Sequence, residues 1–126
     1  MAARSLSGKQ ILVIEDEYFI ASDLSRALRD AGAELVGPVG DLDLGRALAA
    51  SQPIDAAVLD VKLEGASSFP IVQELTARNI PVMLVTGYDD WALPEAYRSI
   101  PRVGKPFSAH AVIGVLETLL GDKAGK

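Results

Sequence analysis

The chain contains no cysteine, one histidine and one tryptophan among its 126 residues. The lack of cysteine excludes disulfides, thiolate zinc sites and cysteine nucleophiles, so any bound metal must be held by oxygen. Basic residues are also scarce, with 12 against 17 acidic residues and a net charge of −5. A chain of this charge offers no broad basic surface for a phosphate backbone, and we expect no direct binding of nucleic acid.

Long hydrophobic runs are absent as well. No stretch approaches the roughly 18 apolar residues that a membrane span needs, and the first residues do not resemble an export signal. We therefore expect a cytoplasmic protein without membrane contact. The length fits one domain over residues 1–126. We expect its core at about residues 9–120, with flexible termini.

The sequence does contain short apolar runs that alternate with segments of helical period, a pattern typical of a parallel sheet. The predicted strands cover residues 10–14, 34–39, 55–60, 81–85 and 102–104. The predicted helices cover residues 17–31, 41–51, 70–79 and 108–120, with a short one near 94–98. This alternation predicts an α/β, flavodoxin-like (βα)5 fold. We expect a doubly wound sheet of order 2-1-3-4-5 and a short or irregular fourth helix.

Four of the predicted strands end in residues that can handle a phosphoryl group. The first strand runs into Glu15 and Asp16, the third into Asp60, the fourth into Thr86 and the fifth into Lys105. The carboxyl ends of parallel strands lie at one edge of the sheet, where ligands bind in open α/β folds. We therefore expect these five side chains to converge, although they lie far apart in sequence.

The predicted cluster has the chemistry of a metal-assisted phosphoryl acceptor. Carboxylates repel one another by roughly 4 kcal/mol per pair at 4 Å, and a divalent cation relieves that repulsion. Mg²⁺ fits best, since it prefers oxygen ligands and needs only one or two carboxylates. Asp60 beside the metal can attack a phosphoryl group and form an acyl phosphate. Thr86 supplies a hydroxyl and Lys105 an ammonium for the charge on the transferring group.

Over nearly the whole chain, these features resemble the receiver domains of two-component response regulators. The resemblance is carried, in the family's order and at nearly its spacings, by Glu15-Asp16, Val58-Leu59-Asp60, Val85-Thr86-Gly87 and Lys105-Pro106-Phe107. It implies that Asp60 accepts a phosphoryl group from a histidine kinase or a histidine phosphotransfer protein. It further implies that Thr86 and Lys105 contact the phosphate. The implied Mg²⁺ ligands are Glu15, Asp16, Asp60 and the backbone carbonyl of Lys62.

The chain also departs from the usual receiver pattern. Arg102 stands where members usually carry an aromatic switch residue, and the interval from Thr86 to Lys105 is shorter than usual. Together with Pro81 and Tyr88, these features are similar to the single-domain receivers called FAT GUY. We assign the conformational switch to Thr86, Tyr88 and Arg102, with Tyr88 as the substitute aromatic.

The resemblance implies a stand-alone receiver, a signalling phosphoacceptor that catalyses only its own phosphorylation and dephosphorylation. Its output would be a changed contact with a downstream protein, or else it would act as a phosphate shuttle or sink. Two alternatives stay open. One is an aspartyl-phosphate phosphatase, although haloacid-dehalogenase-like enzymes carry Asp-x-Asp after their first strand, whereas Asp60 follows the third and precedes Val61 and Lys62. The other is a receiver-like interaction module that works without phosphorylation.

Overall fold

The computed structural model describes residues 5–63, 66–87 and 94–124. Five parallel strands form one sheet with the order β2-β1-β3-β4-β5. The strands are β1 (Gln10–Ile14), β2 (Glu34–Val39), β3 (Ala56–Asp60), β4 (Val82–Thr86) and β5 (Arg102–Gly104). The predicted α/β fold and the predicted strand order 2-1-3-4-5 are confirmed.

Four α-helices flank this sheet in the described parts of the chain. They are α1 (Tyr18–Asp30), α2 (Leu42–Ser51), α3 (Phe69–Ala77) and α4 (Ala109–Ala124). Between β4 and β5 a single 3-10 turn is described, Glu95–Tyr97, where the sequence predicts only a short helix. Two antiparallel strands after β3, Lys62–Leu63 and Ala66–Ser67, were not predicted, because two-residue strands leave no periodic signal.

Local sequence signals fix the ends of several helices. The Asp41 carboxylate accepts a hydrogen bond from the Leu44 amide at 2.9 Å and caps the start of α2. Gly32 follows the end of α1 with a φ of 94°, the left-handed conformation that glycine adopts at low cost. Both helices begin and end within two residues of the predicted limits.

The hydrophobic core lies on both faces of the sheet. All five residues of β3 and all five of β4 are buried, as expected of central parallel strands. On one face the sheet packs against α1 and α4 through Ile11, Val13, Val58, Met83, Leu24, Leu28 and Leu116. On the other face it packs against α2 and α3 through Leu12, Ile14, Leu59, Leu84, Ala49, Ile71 and Leu75. Within the described residues, no helix combines the length and apolar character needed to cross a membrane.

The strand register brings the polar strand ends together. Ile14 of β1 pairs with Leu59 of β3, and Asp60 pairs with Val85 of β4. Thr86, the last residue of β4, pairs with Gly104 of β5. The residues that follow or end β1, β3, β4 and β5 therefore lie at the same edge of the sheet.

Candidate metal and phosphoryl site

Three carboxylates converge at this edge, as the sequence predicts. Glu15, Asp16 and Asp60 each place one carboxylate oxygen within 4.8 Å of the other two. Glu15 is only 3% exposed and Asp60 only 6%, while Asp16 is half-buried. The apolar strands β1 and β3 lead directly into these acids, so chain connectivity holds three carboxyl groups together in a poorly solvated pocket.

Lys105 places its ammonium group among these acids. Its Nζ donates to Asp60 Oδ2 at 2.7 Å and lies 3.3 Å from each oxygen of Glu15. Its backbone N–H donates to the Thr86 carbonyl at 2.6 Å, which fixes the start of its side chain beside the end of β4. The Lys105 side chain is only 14% exposed. Water therefore screens these ionic contacts less than it would at an open surface.

The pKa values of the site reflect burial and mutual charge. Burial raises the pKa of Glu15 from 4.5 to about 7, and the Asp60 charge adds to this shift. The Glu17 amide and the Lys105 charge lower the pKa of Glu15 but do not offset the rise. Burial lowers the pKa of Lys105, but its hydrogen bond to Asp60 and the charges of Asp60 and Glu15 outweigh this, so the pKa is raised overall.

Glu15→Gln is expected to stabilise the metal-free protein at pH 8. The pKa of Glu15 is higher in the folded chain than its ordinary value, so its contribution to stability is lost as the pH rises through about 7. A neutral glutamine avoids this loss and should raise the free energy of unfolding by roughly 1–3 kcal/mol at pH 8, and by much less at pH 5. Urea unfolding with EDTA at the two pH values measures the difference.

Glu17→Gln is the matched control, since the Glu17 side chain is 61% exposed. We expect it to change the free energy of unfolding by less than about 0.5 kcal/mol at either pH. A wild type and a Glu15→Gln variant that lose stability in parallel between pH 5 and pH 8 would contradict the assignment of this pH dependence to Glu15.

The donor set of the pocket fits Mg²⁺. The three acids offer only oxygen ligands, and the single ammonium of Lys105 does not balance their charge. In addition, Glu15 Oε1 is buried and has no hydrogen-bond partner among the described residues, although the Lys105 ammonium is near. A divalent cation with its bound waters would satisfy such an oxygen and relieve the repulsion between the acids. The pocket therefore fits both Mg²⁺ and a phosphoacceptor aspartate.

The other four predicted site residues are Thr86, Lys62, Arg102 and Tyr88. Thr86 is buried at the end of β4, one strand away from Asp60. The backbone of Lys62 lies in the small antiparallel sheet after β3, paired with Ser67. Arg102, at the aromatic position, donates from Nη1 to the Arg98 carbonyl at 3.0 Å and to the Ile100 carbonyl at 3.3 Å. Tyr88 lies outside the described residues, so its predicted role in the switch stays a prediction.

Glu17 belongs to the site but was not predicted. Its carboxylate lies 3.8 Å from Lys105 Nζ, and its amide donates to Glu15 Oε2 at 3.0 Å. The signal was present in the run Glu15-Asp16-Glu17. However, an acid at the start of a helix is also favoured by the helix dipole, so the sequence did not single it out.

Comparison with known proteins places this geometry in a family. Residues 11–104 match the family described as response regulator receiver domain. Among curated proteins, the transcriptional regulatory protein PdtaR of Mycobacterium tuberculosis is 30% identical over an alignment of 113 positions that covers 86% of this chain and 55% of PdtaR. The chain thus spans about half the length of the curated relatives it matches.

Solved structures agree with this match. The solution structure of SdrG from Sphingomonas melonis Fr1 is 37% identical, with a TM-score of 0.79 over 90% of this chain and 97% of SdrG. The receiver domain of the sensor histidine kinase PA1611 from Pseudomonas aeruginosa PAO1 is 21% identical, with a TM-score of 0.73 over 91% of this chain and 99% of that domain, and shares the fold. That domain was solved with a magnesium ion coordinated in its active-site cleft. The fold, the acidic pocket and the family match together show that this chain belongs to the response regulator receiver domain family.

Proposed function

We propose that Asp60 accepts a phosphoryl group from the phosphohistidine of a kinase or a phosphotransfer protein. The observation that carries this proposal is the 2.7 Å contact between Lys105 Nζ and Asp60 Oδ2 inside the pocket of three carboxylates. The Lys105 ammonium is therefore already in contact with the Asp60 carboxylate that is to be phosphorylated. The same ammonium can bond to an incoming phosphoryl oxygen without a large movement of the backbone.

The transfer needs no further protein nucleophile. An oxygen of Asp60 bonds to phosphorus while the bond from phosphorus to the donor's imidazole nitrogen breaks, and that electron pair stays on the nitrogen. Mg²⁺ held by Glu15, Asp16, Asp60 and the Lys62 carbonyl would supply positive charge for the phosphoryl oxygens. Lys105 and the Thr86 hydroxyl bind the same oxygens.

Hydrolysis of the acyl phosphate restores the unmodified Asp60. The oxygen of a water molecule bonds to phosphorus, the bond to the Asp60 oxygen breaks, and the carboxylate returns with release of inorganic phosphate. While the acyl phosphate persists, it adds negative charge beside Lys105 and Thr86. This charge alters the protein surface at the carboxyl ends of β4 and β5. We infer that a downstream protein reads this change.

The proposal predicts a covalent acyl phosphate at one position. Incubation with acetyl phosphate and Mg²⁺ should add one phosphoryl group, and borohydride should then reduce the modified aspartate to homoserine. Peptide mass spectrometry should find homoserine at position 60, because the Asp60 carboxylate makes the shortest contact with Lys105, at 2.7 Å. Homoserine at position 16 instead would overturn the choice of acceptor.

Two other outcomes would contradict the proposal and support one of the alternative functions. Rapid multiple turnover of p-nitrophenyl phosphate would support an aspartyl-phosphate phosphatase. Binding of Mg²⁺ without covalent phosphate from any donor would support an interaction module that works without phosphorylation.

A further inference from the structure

Two aromatic rings join the segments that follow β3 and β4. Phe69 is the first residue of α3, and Tyr97 is the last residue of the 3-10 turn. The ring centroids lie 4.2 Å apart and the ring planes are nearly parallel at 8°. Both residues are half-buried and pack against the core on the α2 and α3 face of the sheet. The stack therefore connects two segments that are far apart in sequence.

Backbone hydrogen bonds tie Phe69 to the acceptor strand. Val61, next to Asp60, donates its N–H to the Val85 carbonyl at 3.1 Å. The Val61 carbonyl accepts from the Ser68 amide at 3.0 Å and from the Ser68 hydroxyl at 3.3 Å. Ser68 is completely buried and directly precedes Phe69. The residue that follows Asp60 is therefore hydrogen-bonded directly to the residue that precedes α3.

A second set of hydrogen bonds ties Tyr97 to β5 and so to Lys105. The Tyr97 carbonyl accepts from the Ile100 amide at 3.1 Å. Arg102, the first residue of β5, donates its guanidinium to the Ile100 carbonyl at 3.3 Å and to the Arg98 carbonyl at 3.0 Å. The residue that replaces the usual aromatic thus holds the segment that carries Tyr97. Lys105 follows β5 and reaches back to Asp60, which closes a ring of contacts.

From this ring we propose that Phe69 and Tyr97 are positioning residues that hold the unmodified arrangement of Asp60 and Lys105. A phosphoryl group on Asp60 occupies the space in which Asp60 Oδ2 and Lys105 Nζ now touch, so it replaces the contact that closes the ring and displaces the linked segments slightly. The stack is the link made by ring contact, whereas the others named above are hydrogen-bonded or ionic. We expect the stack to rearrange when the phosphoryl group binds, because two rings in contact can slide past each other without breaking a hydrogen bond. This inference rests on the proposed function of Asp60.

Fluorine NMR tests the rearrangement directly. The chain has three tyrosines, so labelling with 3-fluorotyrosine gives few resonances, and Tyr97→Phe identifies that of Tyr97. Phe69→Leu removes the neighbouring ring and gives the position of the unstacked resonance. Addition of Mg²⁺ and beryllofluoride, a mimic of the phosphoryl group, should move the wild-type Tyr97 resonance toward that position.

The affinity for beryllofluoride gives a second readout, which a merely structural role would not change. If the stack stabilises the unmodified conformation, its loss shifts the equilibrium toward the modified conformation. Beryllofluoride, which binds the modified conformation, should then bind more tightly by the same factor. Phe69→Leu and Tyr97→Leu should each tighten beryllofluoride binding by about threefold to tenfold, and the double variant should tighten it no further. Phe19→Leu is the matched control, since Phe19 is 80% exposed on α1, and should leave the affinity unchanged.

The outcomes separate this inference from the proposed function. A wild type that does not bind beryllofluoride with Mg²⁺ would remove the proposed function, and the inference with it. A wild type that binds it, with a Tyr97 resonance that stays in place and variants of unchanged affinity, would overturn the inference alone. A moving resonance together with tighter binding by both variants would support it.

Discussion

Removal of Mg²⁺ with EDTA, or the substitution Asp16→Asn, is expected to slow phosphoryl acceptance from acetyl phosphate by more than about 100-fold. Glu15, Asp16 and Asp60 crowd their oxygens within 4.8 Å, and Lys105 is the cation seen in contact with Glu15 and Asp60. Without the metal, a phosphoryl group with its own negative charge has to enter a pocket of excess negative charge. Of the three carboxylates proposed to hold the metal, Asp16 is the most open to solvent, and Asp16→Asn leaves Asp60 in place.

The rate at which phosphoprotein accumulates, followed by mass spectrometry of the intact chain, measures this effect. Asp43→Asn is the matched control, because Asp43 is an exposed acid in the first turn of α2. We expect the rate of this variant to stay within about twofold of the wild type, as is usual for surface substitutions. Phosphorylation at an undiminished rate in EDTA would contradict the role given to the metal.

Lys105→Met is expected to have opposite effects on stability and on metal affinity. The raised pKa of Lys105 shows that the fold favours its charged form, and this stabilisation is fully present at pH 8. Removal of one partner from a mostly buried ionic contact should lower the free energy of unfolding in EDTA by about 2–4 kcal/mol. The same change removes a positive charge beside the carboxylates proposed to hold the metal, so Mg²⁺ should bind about tenfold more tightly.

Urea unfolding in EDTA and a Mg²⁺ titration measure the two effects of Lys105→Met. Lys9→Met is the control, since Lys9 precedes β1 at the opposite edge of the sheet, and it should change the free energy of unfolding by less than about 0.5 kcal/mol. A Lys105→Met variant that binds Mg²⁺ more weakly than the wild type would show that Lys105 organises the metal ligands instead of competing with the metal.

Much of the fold was predictable because each element carries its own signal. The apolar run before Asp60 matched a central strand. The outermost strand, β2, contains a glycine and a proline, as is common in strands that have a neighbour on one side only. Asp41 caps the start of α2 and Gly32 follows the end of α1, positions at which these residue types are favoured. The small antiparallel sheet after β3 escaped prediction, because its pairing depends on tertiary contacts and not on periodicity.

The candidate site was predictable as a meeting of strand ends, but its internal contacts were not. Parallel strands place the residues after their carboxyl ends together, so the convergence of Asp16, Asp60 and Lys105 follows from sequence order and topology. The deep burial of Glu15 and the contact of Glu17 with Lys105 depend on side-chain packing. The stack of Phe69 on Tyr97 joins two irregular segments, for which the sequence holds no pairing signal.

The intact mass of wild type and Asp60→Asn, each with and without acetyl phosphate and Mg²⁺, tests the central claim most directly. Asparagine keeps the size of the side chain but removes the nucleophilic carboxylate. We predict that only the wild type, and only with both reagents present, gains the mass of one phosphoryl group. An equal gain by Asp60→Asn under the same conditions would contradict the claim that Asp60 is the phosphoacceptor.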